Sequence, residues 1–210
     1  MAKLSLSLLL FFFFIFCINI GTVEPLNRAA HSQARTFVEA SCRTTRYPAL
    51  CVKWLTRHAS SNTPPTAQQL TRTALTVSLY RARHVRSYLV KVAKELKATK
   101  AKEYPVVRDC LVEIDDSVSQ LSQSVRELCR LDPKAEMMSD DMYWHIDNVD
   151  TWVSTALTDA SSCVEEFPGQ RMSKMKATIK SKVLNVAQLT SNALALFHRY
   201  AAAAAIEKHP

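Results

Sequence analysis

The sequence predicts an all-α protein: an up-down-up-down four-helix bundle preceded by a short helical hairpin. Two observations carry this. The chain has only two glycines in 210 residues, too few for the turns and bulges of an open sheet or barrel. Four long stretches also repeat apolar residues every three or four positions, the period of a helix with one buried face. The abundance of Ala, Leu, Lys and Arg fits, since these are strong helix formers.

In chain order, residues 1–24 read as a secretory signal peptide. Lys3 precedes a long apolar run from about Leu4 to Ile20. Cleavage is expected between Ile18 and Glu24, although no clean A-x-A site is present. The same run approaches spanning length, so a membrane anchor is the alternative. Cleavage leaves one domain at 25–205, large enough for a real core. Within it the hairpin covers about 31–59 and the bundle about 66–203.

The hairpin consists of two short helices, at 31–41 and 47–59, joined through "RTTRYP", with Pro48 suited to a first helical turn. "SSNTPPT" (Ser60 to Thr66) is a loop. The first long helix carries Leu70, Ala74, Val77, Val85, Leu89, Val92 and Leu96, and breaks at "KATKAKEYP". The second runs from Val106 to about Arg130, with Val107, Leu111, Ile114, Val118, Leu121, Val125 and Leu128 as its stripe. "LDPKAEMMSDD" interrupts at Pro133. The third carries Ile146, Val149, Val153, Ala156 and Ala160, and stops at "EEFPG". The fourth carries Met172, Met175, Ile179, Val183, Val186, Ala193 and Leu196 and fades into "YAAAAAIEKHP". Four such helices with short connections form an up-down-up-down bundle. Their apolar and Met stripes read as core, not as a cofactor box, and no cofactor is expected.

Export places the cysteines in an oxidising compartment. Cys17 leaves with the signal, and Cys42, Cys51, Cys110, Cys129 and Cys163 remain, an odd number. The second and third long helices are antiparallel neighbours. Cys110 lies about 20 residues before their connection and Cys163 about 20 after it, so both sit about 30 Å from the turn at the helical rise. Cys129 lies beside the turn. A disulfide needs Cα atoms within about 7 Å, so Cys110–Cys163 is the expected bridge and Cys129 the free thiol. Cys42–Cys51 then fastens the hairpin, whose helices are too short to be stable alone. Loop entropy gives roughly 3 kcal/mol for the small loop and roughly 4 kcal/mol for the large one.

The net charge of +8 is scattered along the helices without any RNA- or DNA-binding motif. For a secreted basic protein, an acidic polysaccharide or an acidic protein face is a better partner than nucleic acid. No membrane partner is expected after cleavage. The residues also argue against an enzyme. The six histidines make no H-E-x-x-H or other metal spacing, and G-x-S-x-G is absent. Cys129 has no evident base beside it. Asp115 and Asp116 point in different directions around a helix. A helical carrier of small apolar ligands is a different class of reading and needs an internal cavity.

Three segments, "CRTTRYPALC" (Cys42 to Cys51), "RDC" (Arg108 to Cys110) and "NVDTWVSTALTDASSC" (Asn148 to Cys163), resemble the plant invertase and pectin methylesterase inhibitors. The last is similar to the W-[LV]-S-A-A-L-T-x-x-x-T-C segment of the pectin methylesterase branch. The resemblance implies a four-helix bundle with an N-terminal hairpin and two disulfides, which agrees with the pairing above. It implies a secreted, apoplastic protein that blocks a cell-wall enzyme in a one-to-one complex, covering the substrate cleft of pectin methylesterase with one face of the bundle. The family's acidic docking residues follow the third and fourth cysteines. The matching positions hold Asp116 and Glu165, with Glu113 nearby; a solvated helix surface is the plainer reading of all three. Val112 stands where the family often has Glu, and Ser162 where it has Thr. The P-K-F motif of the acid invertase branch is matched at Pro133 and Lys134 but not at Ala135, so the pectin branch is favoured and acid invertase is the alternative target. Basic residues off the docking face imply electrostatic retention on pectin.

Overall fold

The computed structural model describes residues 23–58, 65–131, 140–169 and 172–206. The apolar run 4–20, most of "SSNTPPT" and the "DPKAEMM" segment lie outside the described residues. Among the described residues there are six helices and no strand: α1 Val23–Cys42, α2 Pro48–Leu55, α3 Ala67–Ala98, α4 Tyr104–Leu128, α5 Asp140–Glu165 and α6 Lys174–Ile206. None of them is long and apolar enough to cross a membrane.

Local sequence sets the helix ends. Thr66 and Gln69 form a reciprocal capping box at the start of α3, with Oγ1 of Thr66 accepting from the Gln69 amide at 3.1 Å and Oε1 of Gln69 accepting from the Thr66 amide at 3.0 Å. At the far end Lys100 adopts φ +52°, and the Ala101 amide bonds back to the Leu96 carbonyl at 2.9 Å. This reversal caps α3 and turns the chain into α4. Pro48 and Pro105 sit in the first turns of α2 and α4, where a missing amide hydrogen costs nothing. Helix α1 begins well before the residue 31 expected from the sequence. Pro25 falls in its first turn, where proline is tolerated, so it does not delay the helix.

Helix α3 packs on α4 and α6, and α5 packs on the same two, so the long helices close an antiparallel ring. Its axis is filled by Leu75, Leu89, Ile114, Leu121, Ile179 and Phe197, none of them exposed. Each fully buried side chain of this size contributes about 1.5–3 kcal/mol. The α4–α5 seam is built differently. Ser117, Ser124, Ala156 and Ala160 are buried there, and small side chains let two helix backbones approach closely. Ser117 Oγ donates to the Ala156 carbonyl at 2.9 Å across the seam. Leu111, Val118 and Val125, which the apolar stripe placed in the core, are only partly buried and flank it.

At the other end of this seam the Glu127 carboxylate is almost fully buried. It meets His145 Nδ1 at 2.6 Å, Arg130 Nη1 at 3.0 Å and Asn148 Nδ2 at 3.5 Å. Burial pushes this carboxyl up, but the hydrogen bonds from His145 and Asn148 and the nearby cations outweigh it, holding it below the usual range.

The hairpin docks on α6, with α2 also touching α3. The side-chain amide of Asn192, on α6, grips the Tyr47 backbone twice: it accepts from the amide at 3.0 Å and donates to the carbonyl at 2.9 Å. Arg199 adds a bond to the Ser41 carbonyl at 2.8 Å. Asn192 is itself buried, so this pairing satisfies groups that would otherwise be stranded away from water.

Candidate functional site

Two bridges are present among the described residues. Cys42–Cys51 ties α1 to α2 with its Cα atoms 5.7 Å apart, and Cys110–Cys163 ties the first half of α4 to the end of α5 at 4.6 Å. Cys129 is free and exposed, with the Arg72 guanidinium 3.9 Å from its sulfur.

The second bridge organises a patch of carboxylates. Glu113 lies one turn beyond Cys110 and Asp116 nearly two turns beyond, both on α4. Asp159 lies one turn before Cys163 on α5, and Glu166 just past the helix end. Because the helices run antiparallel from a shared bridge, these four groups act on one another. Burial pushes the Asp159 carboxyl up to about 6, with Asp116 and Glu113 adding like-charge repulsion. Its Oδ2 is buried without a hydrogen-bond partner among the described residues. Burial also raises Glu113, followed by repulsion from Glu166 and Asp116, while a hydrogen bond from Ser162 works the other way. None of the ion pairs among the described residues involves any of these carboxylates. No group of His, Cys, Asp and Glu among the described residues is placed to hold a metal ion.

The sequence-predicted docking residues therefore separate. Glu113 and Asp116 join one electrostatic cluster. Glu165 is exposed, and it is its neighbour Glu166 whose charge reaches Glu113. Asp159 and Glu166 were missed. Asp159 stands on α5 and Glu166 just beyond its end, a turn either way from Cys163. A register fixed by the bridge would have exposed them, because Cys110 and Cys163 share one height. Val112, the position at which the sequence departs from the family, is 55% exposed and one turn from Asp116. An uncovered apolar side chain beside unpaired carboxylates suits a contact surface with an apolar centre and polar rim. The arrangement can present negative charge to a cationic partner; it holds no nucleophile paired with a base.

Comparison with known proteins places the chain. Residues 36–196 match the family described as plant invertase/pectin methylesterase inhibitor. "Pectinesterase inhibitor 9" of Arabidopsis thaliana is 42% identical over 171 residues, 81% of this chain and 83% of that protein. The "21 kDa protein" of Daucus carota is 36% identical over 203 residues, 95% of this chain and 97% of that protein. Among solved structures, a mutant form of a pectin methylesterase inhibitor from Arabidopsis has the same fold, with a TM-score of 0.57 at 20% identity over 75% of this chain and 92% of that one. On the family match and the two relatives, this chain belongs to the plant invertase/pectin methylesterase inhibitor family.

Proposed function

We propose that this chain is a secreted inhibitor of pectin methylesterase and acts by binding, with no chemistry of its own. The observation that carries the reading is the family match over residues 36–196, with a relative named a pectinesterase inhibitor at 42% identity. The patch around the Cys110–Cys163 bridge supports a docking role. Glu113, Asp116, Asp159 and Glu166 offer a negative face, with Glu165 exposed at its margin and Val112 uncovered beside it. In a one-to-one complex this end of the α4–α5 pair covers the enzyme's substrate cleft, and its charge steers the encounter with a basic surface.

The apolar run 4–20 exports the chain to the apoplast. There Arg43, Arg46 and Arg57 of the hairpin, Arg81, Arg83 and Arg86 of α3, and Lys174, Lys176, Lys180 and Lys182 of α6 hold it on demethylated pectin, a polyanion, through many weak contacts. The test is titration of the purified mature protein into several plant pectin methylesterases and, in parallel, into acid invertase. Loss of esterase activity with invertase untouched is the expected result. Full esterase activity at micromolar inhibitor across the isoforms would defeat the reading, and loss of invertase activity alone would transfer it to the other branch of the family.

A further inference from the structure

Between Ser41 and Lys94 the chain carries ten lysines and arginines and not one aspartate or glutamate. This stretch builds α2 and most of α3, and between them lies an open groove of about 600 Å³. Trp54 and His58 form one side. Arg72, Thr76, Val77 and Tyr80 form the other, on successive turns of α3. Tyr80 is 65% exposed, the most exposed large apolar side chain among the described residues. The groove lies on α2 and the N-terminal half of α3, whereas the carboxylate patch lies on α4 and α5.

Arg72 lines the groove, and two further cations stand against the Trp54 ring that forms one wall. The Arg81 and Arg57 guanidinium carbons stand 5.3 Å and 5.8 Å from the Trp54 ring centroid, within cation–π range. Arg81 Nε is fixed by Asn185 Oδ1 at 3.1 Å. None of Arg57, Arg72 and Arg81 has a carboxylate partner among the described residues. The Thr73 and Thr76 hydroxyls donate to the carbonyls of Gln69 and Arg72, both at 2.8 Å. Their oxygens therefore face a ligand as acceptors only.

We propose that this groove binds an acidic oligosaccharide, with uronate carboxylates on the arginines and a pyranose ring on Tyr80. Three features fit that ligand together. Guanidiniums that lack a carboxylate partner of their own match uronate carboxylates. An exposed aromatic face takes the C–H side of a sugar ring. Hydroxyl acceptors take sugar O–H donors. A nucleic acid strand shares the negative charge and the stacking, but it has few hydroxyl donors to offer the two threonines. The choice of galacturonate as the sugar rests on the function proposed above; the groove itself does not.

The experiment measures binding of an unesterified oligogalacturonate to the full mature protein by calorimetry, with no enzyme present. A neutral galacto-oligosaccharide of the same length and a single-stranded oligonucleotide serve as comparison ligands. Tyr80→Ala and Arg72→Ala test the groove. Lys91→Ala/Lys94→Ala removes exposed positive charge from the same helix outside it. The expected result is oligogalacturonate binding that each groove variant weakens by about ten-fold or more and the lysine pair changes little, with the neutral sugar silent. Equal weakening by the lysine pair, equal binding of the neutral sugar, or tighter binding of the oligonucleotide with the same dependence on Tyr80 would each overturn it. Esterase inhibition by Tyr80→Ala, run separately, tells the two sites apart. Retained inhibition with lost sugar binding supports the groove as a separate site. Sugar binding in a protein that inhibits no esterase leaves the groove standing and removes only the inhibitor reading.

Discussion

Ser117 and Ala156 stand equally far from the Cys110–Cys163 bridge, seven residues inward on α4 and α5, and Ser117 bonds across to the Ala156 carbonyl at 2.9 Å. The disulfide thus sets a register that the buried seam continues without slipping. Ser117→Ala removes one neutral hydrogen bond from a carbonyl inside α5, so a loss of about 1 kcal/mol is expected. Ser117→Val adds volume where the backbones approach and should cost more, about 1–3 kcal/mol. Urea denaturation of both variants checks the order; Ser117→Val as stable as Ser117→Ala would mean that the seam is not tightly packed.

The two bridges should differ in worth. Their sequence separations are 53 and 9 residues, and loop entropy predicts about 4 kcal/mol for Cys110–Cys163 against about 3 kcal/mol for Cys42–Cys51. Paired Cys→Ala variants, compared by thermal melting, should show the larger drop for the longer loop. Thiol titration of the denatured, unreduced mature protein should find a single reactive group, at Cys129.

Stability should pass through a maximum in mild acid. Asp159 titrates near 6 in the fold against an ordinary 3.8, so the folded state holds more protons between those values. Stability conferred by the protonated form is lost as pH rises through that window. Glu113 shifts the same way, for the same burial and like-charge causes. Glu127 is depressed, so its contribution is present above the ordinary carboxylate range and lost as pH falls through its folded value. Asp159→Asn should be at least as stable as the parent at pH about 7 and lose the rise in melting temperature toward pH about 5. A parent melting curve flat across that range would contradict the assignment.

The docking patch makes a kinetic prediction. Asp116→Lys/Glu166→Lys should slow association with pectin methylesterase more than it speeds dissociation, because steering acts on encounter. Asp116→Lys/Glu165→Lys should slow it less, since Glu165 stands apart from the cluster. Surface plasmon resonance separates the rates. Unchanged association in both variants would move the contact face elsewhere.

Wall retention should be electrostatic. The screening length falls from about 10 Å at 0.1 M salt to about 3 Å at 1 M. Molar NaCl should therefore release the protein from wall preparations without detergent, whereas recovery only with detergent would contradict both cleavage of the leader and retention on pectin.

Much of this molecule is legible in its sequence. The apolar stripes of α3 and α6 are readable along most of their length because a helix with one wide buried face repeats at 3.6 residues whatever it packs against, although Leu96 and Met175 are only partly buried and Met172 falls before α6 begins. Helix α4 was read less well. Its stripe named Leu111, Val118 and Val125, while the positions fully buried include Ser117, Ser124 and Glu127. A template of large apolar residues overlooks small side chains chosen for close approach, and it cannot see a carboxylate whose burial depends on His145 eighteen residues away. The patch was half legible for the same reason. Glu113 and Asp116 share a helix with a landmark cysteine, but Asp159 and Glu166 meet them only through the interhelical register.

The Asn192 grip on Tyr47 has a kinetic consequence. The Cys42–Cys51 loop closes entirely within the hairpin, so α1 and α2 can lift off α6 together without breaking any covalent link to the ring. Amide hydrogens there should exchange with deuterium through a partial opening of lower free energy than global unfolding, leaving the ring as the slow-exchanging unit. Asn192→Ala should accelerate exchange in the hairpin selectively. Trp54 rides on that hairpin, so each opening also takes away one wall of the basic groove, and a ligand spanning the groove would show itself as protection of amides in the Cys42–Cys51 loop.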